Sequence, residues 1–100
     1  MKSSIQEIDG RIVATLSGEL DTAVAEETEK ALQPLLESQG KDIVIDCTQL
    51  EYIASSGLRI LLGILKKARS VGNRVILKNV NDVVRDVLDM TGLIQTFEFE

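Results

Sequence analysis

Asp42-Ile43-Val44-Ile45-Asp46-Cys47, followed after a polar interval by Ile53-Ala54-Ser55-Ser56-Gly57-Leu58, decides the fold of this chain. The first segment is a nearly continuous apolar run and predicts a strand from Ile43 to Cys47, covered on both faces. After the second, Leu58, Leu61, Leu62, Leu65 and Ala68 recur at i, i+3, i+4, i+7 and i+10, one stripe of an α-helix that reaches to about Ser70. A buried strand thus gives way to an amphipathic helix, and two hydroxyls stand at the junction. Ser55 falls at or near the N-cap, where its oxygen can accept a backbone N–H. A helix N-terminus also favours negative charge. A phosphoryl group on Ser55 would be tolerated there and would alter a surface that a partner can read. Local sequence leaves both roles open: a cap only, or a cap that is modified.

Upstream, Ile5 to Glu7 predicts a short strand, and Asp9-Gly10 a hairpin turn into a second strand, Arg11 to Ser17. Gly18-Glu19-Leu20-Asp21 breaks that strand. Asp21 or Thr22 can cap a helix over residues 22–38, with Val24, Thr28, Ala31, Leu32, Leu35 and Leu36 as its inner stripe. Pro34 kinks or splits it, and Gly40 stops it. Downstream, Gly72-Asn73 turns the chain into a fourth strand, Arg74 to Leu77. Asn81 or Asp82 opens a third helix with Val83, Val84, Val87, Leu88 and Thr91 inward. Gly92 ends it, and Ile94 to Phe99 is the last strand. The order β-β-α-β-α-β-α-β, alternating after a first hairpin, predicts an α/β fold. Its sheet is mixed and mostly parallel, with the first strand antiparallel at one edge, strands two to five in sequential order and three main helices as cover. Residues 1–100 form a single domain, without repeat or linker.

Composition narrows the function classes. Apolar residues make up 44% and charged residues 27%, with a net charge of −5. An acidic chain argues against nucleic acid as a partner, since phosphate contacts need a basic surface, and against anionic membranes. One cysteine excludes an internal disulfide, and without histidine a zinc site has no support. The start of the chain lacks the apolar core of a signal peptide, and no run approaches a membrane span, so a cytoplasmic location is expected.

Catalysis finds few of its parts. A serine at a strand-to-helix turn suggests a nucleophile elbow, but that chemistry needs a base, usually histidine, and the elbow's first glycine is missing. Gly57, Gly63 and Gly72 do not compose a phosphate-binding loop. Asp9, Glu19, Asp21 and Asp46 have neither metal-ligand nor glycosidase spacing and read as solvated acids. Cys47 reads as a buried structural thiol. No cofactor and no metal are expected. Ile60 and Ile64 widen the stripe of the Ser55 helix, through deep burial or as an apolar patch for a partner. Gly63 costs about 1 kcal/mol against alanine in mid-helix, which suggests a packing or close-approach reason.

Three segments then carry a resemblance that spans essentially the whole chain: Gly18-Glu19-Leu20-Asp21, Leu50-Glu51-Tyr52-Ile53-Ala54-Ser55-Ser56-Gly57-Leu58 and Asp89-Met90-Thr91-Gly92-Leu93. In these the chain resembles the STAS family, in particular its single-domain bacterial anti-sigma-factor antagonists. The resemblance implies a phosphorylation site at Ser55, with Ser56 as its modulating neighbour. It implies a partner-binding set of Asp21, Thr22, Ser56, Leu58 and Arg59. It implies a non-enzymatic switch: the unphosphorylated protein binds an anti-sigma factor, a serine kinase, and so frees a sigma factor. Phosphorylation ends the binding, and a PP2C-type phosphatase resets it. The family also includes adaptor subunits of transport or sensor complexes, in which Ser55 would dock without turnover. Ala54 stands where the family usually carries an acid, and Arg59 where a second glycine is common. Arg59 lies one helical turn after Ser55, at a spacing that can pair with a phosphate.

Overall fold

The computed structural model describes residues 2–37 and 40–100. A hairpin of β1 (Lys2–Ile8) and β2 (Arg11–Leu20) opens the chain. It turns on Asp9 and Gly10, at φ 52° and 78°. Two successive left-handed residues match the twist of the flanking strands, which is why Asp-Gly serves there. Helices α1 (Thr22–Ala31) and α2 (Gln33–Leu36) lead to β3 (Ile43–Ile53). Then follow α3 (Ser55–Ser70), β4 (Val75–Lys78), α4 (Asp82–Met90) and β5 (Glu98–Phe99). The sheet order is β1-β2-β3-β4-β5. β1 pairs antiparallel with β2, and every other pair is parallel. Strand order and sheet topology are those expected from the sequence.

Right-handed crossovers taken repeatedly in one direction put every helix on the same side of the sheet. The core has that form. Leu32 and Leu35, Leu58, Leu61 and Leu65, and Val84 and Leu88 join Ala14, Leu16, Ile43, Ile45 and Leu77 in one buried cluster. Val44 and Ile76 are buried outside it, in register with Val13 and Glu98. Val44 is nonetheless only 1% exposed, so the stretch of β3 from Ile43 to Ile45 is covered on both faces as expected. The outer face carries ion pairs: Arg11–Glu100 and Arg74–Glu98 at 2.9 Å, and Arg74–Asp42 at 3.6 Å. The aliphatic stems of such side chains shield apolar surface while their heads stay wet.

Several boundaries differ from expectation. β1 is longer, and β2 runs through Gly18 to Leu20. β3 extends six residues past Cys47 to Ile53. The expected helix over 22–38 is two helices, broken at Leu32, with Pro34 in the first turn of α2, where a missing N–H costs nothing. Ala31 is exposed, whereas Ala25 is buried; the side chain of Leu36 and the helix end at 38 lie outside the described residues. Leu62 is half-buried rather than central, and Ile60 and Ile64 are core residues, not a surface patch. In α4 Val83 and Thr91 face outward. Thr91 is the C-cap, its hydroxyl donating to the Val87 carbonyl at 2.8 Å. The last strand shrinks to Glu98–Phe99.

Candidate functional site

The parallel strands β2 and β3 end side by side, and each delivers a helix N-terminus at the same end of the sheet. The Ala54 N–H donates to the Leu20 carbonyl at 2.9 Å, which locks the two strand ends together. Ala54 is extended, at φ −90° and ψ 169°, and is itself the N-cap of α3; its carbonyl accepts the Leu58 N–H at 3.0 Å. Ser55 is therefore the first helical residue, next to the cap as expected, but its hydroxyl does not cap the helix. An alanine has no side-chain acceptor, and α3 has no side-chain cap. Its first-turn N–H groups and the positive end of its dipole remain available to an added anion.

Asp21 caps α1, its Oδ1 accepting the Val24 N–H at 3.3 Å, and is half-buried. It is thus a structural cap as well as an acid near α3, not only an exposed loop residue. The next residue, Thr22, reaches across: its Oγ1 lies 3.2 Å from the Ser56 Oγ. This hydrogen bond ties the first turn of α1 to that of α3. Ser56 is half-buried and occupied in this way, whereas Ser55 is exposed. Arg59, one turn further along α3, is exposed too. Leu58 is not part of this surface. At 3% exposure its side chain belongs to the core, unlike the other members of the expected partner-binding set.

Gly57, between these residues, was not singled out as a packing position by its sequence context. A Cβ there would lie 2.6 Å from Leu20 Cγ and 2.9 Å from Ile53 Cγ1. α3 sits on the ends of both strands so closely that only glycine fits. The signal was the alternation of its neighbours, Ile53 and Leu58 inward and Ser55 outward, which puts residue 57 against the sheet. Gly63 has no such neighbour within 4 Å among the described residues, so they give no packing reason for it.

The rest of the chemistry is quiet. Burial pushes the Cys47 thiol up to about 12, so it stays protonated and unreactive. Asp46 is spent on a local turn, accepting from the Thr48 N–H at 3.0 Å. Among the described residues no three of His, Cys, Asp or Glu are grouped to hold a metal ion. No helix among them is long and apolar enough to cross a membrane.

The comparisons with known proteins agree with this geometry. The family model for the STAS domain matches residues 2–100. BtrV of Bordetella bronchiseptica, named as an anti-sigma factor antagonist, is 33% identical over 97 residues, which cover 97% of this chain and 84% of that protein. The anti-sigma-B factor antagonist of Bacillus subtilis is 29% identical, over 89% of this chain and 81% of that one. The solved structure of the anti-sigma factor antagonist SpoIIAA in its unphosphorylated form superposes with a TM-score of 0.80 at 25% identity, over 99% of this chain and 88% of that one. The chain belongs to the STAS domain family.

Proposed function

We propose that this protein is an anti-sigma factor antagonist whose binding is switched by phosphorylation of Ser55. One observation carries the reading: an exposed serine opens α3 at the point where Asp21, Thr22 and Ser56 bring a second helix N-terminus alongside. The names of the relatives support the antagonist role, and the form in which SpoIIAA was solved is named unphosphorylated. The partner is an anti-sigma factor with serine kinase activity. The Ser55 hydroxyl attacks the γ-phosphorus of ATP, its proton passes to the kinase, and ADP leaves. A PP2C-type phosphatase returns the serine by hydrolysis. The chain itself acts by binding and not by catalysis. Asp21, Thr22, Ser56 and Arg59 frame the partner surface, and Ser56 is held back from modification by its bond to Thr22.

Physically the switch is local. A phosphoserine adds about −1.5 to −2 charge at neutral pH to a chain already at −5. The charge falls at the favourable end of a helix, so the fold persists while the partner surface gains negative charge. The test is incubation with the candidate anti-sigma kinase and ATP, followed by intact mass and site mapping. One phosphate on Ser55 is expected. Ser55→Ala should take none and stay bound to the kinase; Ser55→Asp should fold and bind weakly. Phosphate on Ser56 would move the site by one residue. No phosphate on either serine, or tight binding by Ser55→Asp, would leave an adaptor role without turnover.

A further inference from the structure

Arg59 is an exposed guanidinium with no ion pair to any described residue. It borders two adjoining clefts between α1 and α3. One, of about 260 Å³, opens beside Ser56 and is walled by Ala25, Glu26 and Glu29 of α1. The other, of about 150 Å³, runs on over Leu32, Ile60, Gly63 and Ile64. Gly63 leaves that second cleft open, since no described residue fills the space its side chain would take. Arg59 thus stands between the Ser55 end of α3 and a hollow on the same face, which Leu32, Ile60 and Ile64 line together with Glu29 and Gln33.

We propose that Arg59 couples the two: it lines the α1–α3 cleft while Ser55 is free, and turns back one helical turn onto the phosphate when Ser55 is modified. The proposal rests on the reading of Ser55 as phosphoacceptor and names the residue that responds to it. Residues four apart on a helix have Cβ atoms about 5–6 Å apart. A helical side chain leans toward the N-terminus, so that of Arg59 is directed over the turn that carries Ser55. An anion N-terminal to the cation is the better order of such a pair. A guanidinium donates two parallel hydrogen bonds to phosphate oxygens, which a lysine cannot copy. The next cation on α3 is Lys66, about 16 Å along the axis from Ser55.

The groups facing Arg59 from α1 are Glu26 and Glu29; Glu26 is shared with Lys30 at 3.6 Å, and Asp21 is engaged with the Val24 N–H. Each carboxylate brings one negative charge, against about two on the phosphate. Modification therefore draws Arg59 off the α1 side. The cleft loses its cation at the moment the surface gains an anion.

The experiment places phosphoserine at position 55 of the full chain by co-translational incorporation, in the parent, in Arg59→Gln and in Arg59→Lys. Phosphorus NMR titrations read the second ionisation of the phosphate, and amide spectra read the cleft. The helix N-terminus is common to all three proteins, so differences isolate residue 59. The expected midpoint in the parent is about half a pH unit below that of Arg59→Gln, with Arg59→Lys between. The difference should shrink in about 1 M salt. The amides of Glu29, Ile60 and Gly63 should shift on phosphorylation in the parent and not in Arg59→Gln. Equal midpoints in the parent and Arg59→Gln, or equal cleft shifts in both, overturn the proposal. Installation needs no kinase. A kinase that ignores Ser55 thus overturns the functional reading and leaves the titration to judge Arg59.

Discussion

Two glycines of α3 should respond to the same substitution with opposite signs. In Gly57→Ala the new methyl meets Leu20 Cγ at 2.6 Å, Ile53 Cγ1 at 2.9 Å and Leu20 Cδ2 at 3.0 Å. Both neighbours are wholly buried. Leu20 Cγ is a branch point close to a backbone held by the Ala54–Leu20 hydrogen bond, not the free end of a flexible side chain. Relief requires α3 to lift from the strand ends. Overpacking of this kind costs about 1–3 kcal/mol, offset by up to about 1 kcal/mol of helix propensity. With the full offset a net loss of up to about 2 kcal/mol follows, or up to roughly 16 °C in Tm for a chain of this size. In Gly63→Ala the methyl enters open space, and helix propensity alone should raise stability by about 1 kcal/mol. Urea unfolding of both variants beside the parent is the assay, with the slope checked for constancy. If Gly57→Ala matches or exceeds Gly63→Ala in stability, the close approach of α3 to the strand ends is wrong. The positioning of Ser55 argued from it then fails too.

Leu61→Ala should cost about 2–5 kcal/mol, since Leu61 is 1% exposed, and Leu62→Ala clearly less, since Leu62 is only half-buried; equal denaturant midpoints would contradict this placement of α3. Asp21→Ala should lose about 1 kcal/mol as a removed cap, whereas Asp21→Asn, another good cap, should change stability little; any change of partner affinity in Asp21→Asn then reports on charge alone. Hydrogen bonds from Arg74 and Arg11 hold Glu98 and Glu100 below the ordinary glutamate value of 4.5. The native state thus binds fewer protons near that pH than the unfolded chain. The contribution of these pairs is present above about pH 4.5 and fades as pH falls through the native values. A Glu98→Gln, Glu100→Gln double variant should flatten that part of the stability profile, and an unchanged acid limb would remove the pairs from the account.

Much of the fold was legible because the hairpin turn, the leucine stripe of α3 and the Asn81 cap are local signals that tertiary structure reinforces. The Asn81 side chain both accepts from the Val84 N–H at 2.8 Å and donates to the Leu50 carbonyl at 2.9 Å. The second half of β3 was not legible, and its register explains why. Thr15 pairs with Asp46 but Ser17 with Gln49, and Gly18 pairs with Leu50 but Glu19 with Tyr52. Each step inserts one extra residue into β3. Cys47, Leu50 and Ile53 are consequently buried at intervals of three, a period that belongs to neither a regular strand nor a helix. The junction that carries the two serines was legible, and only the identity of the cap residue was not. Serine is the better cap by preference, but the bond from Ala54 to Leu20 carries the extended backbone one residue further and starts α3 at Ser55. The bond between Thr22 and Ser56 joins residues 34 apart and has no local signature.

The same long-range ties set what kind of switch this scaffold can support. Ser55 stands on a helix whose next two residues, Gly57 and Leu58 beyond Ser56, are wedged against Leu20 and Ile53 or sunk in the core. On the proposed reading, a phosphate there has little freedom to remodel the backbone, and must act on the partner through charge. Two unit charges 4 Å apart interact by about 1 kcal/mol in water and about 4 kcal/mol at a typical protein surface. One partner carboxylate near Ser55 would therefore weaken binding from roughly fivefold to roughly a thousandfold. That range suffices to release a partner, so a rigid site and a strong switch are compatible. Rigidity also has a benefit: the unmodified surface is already in its binding shape, and no ordering cost is taken from the affinity that the phosphate must later overcome.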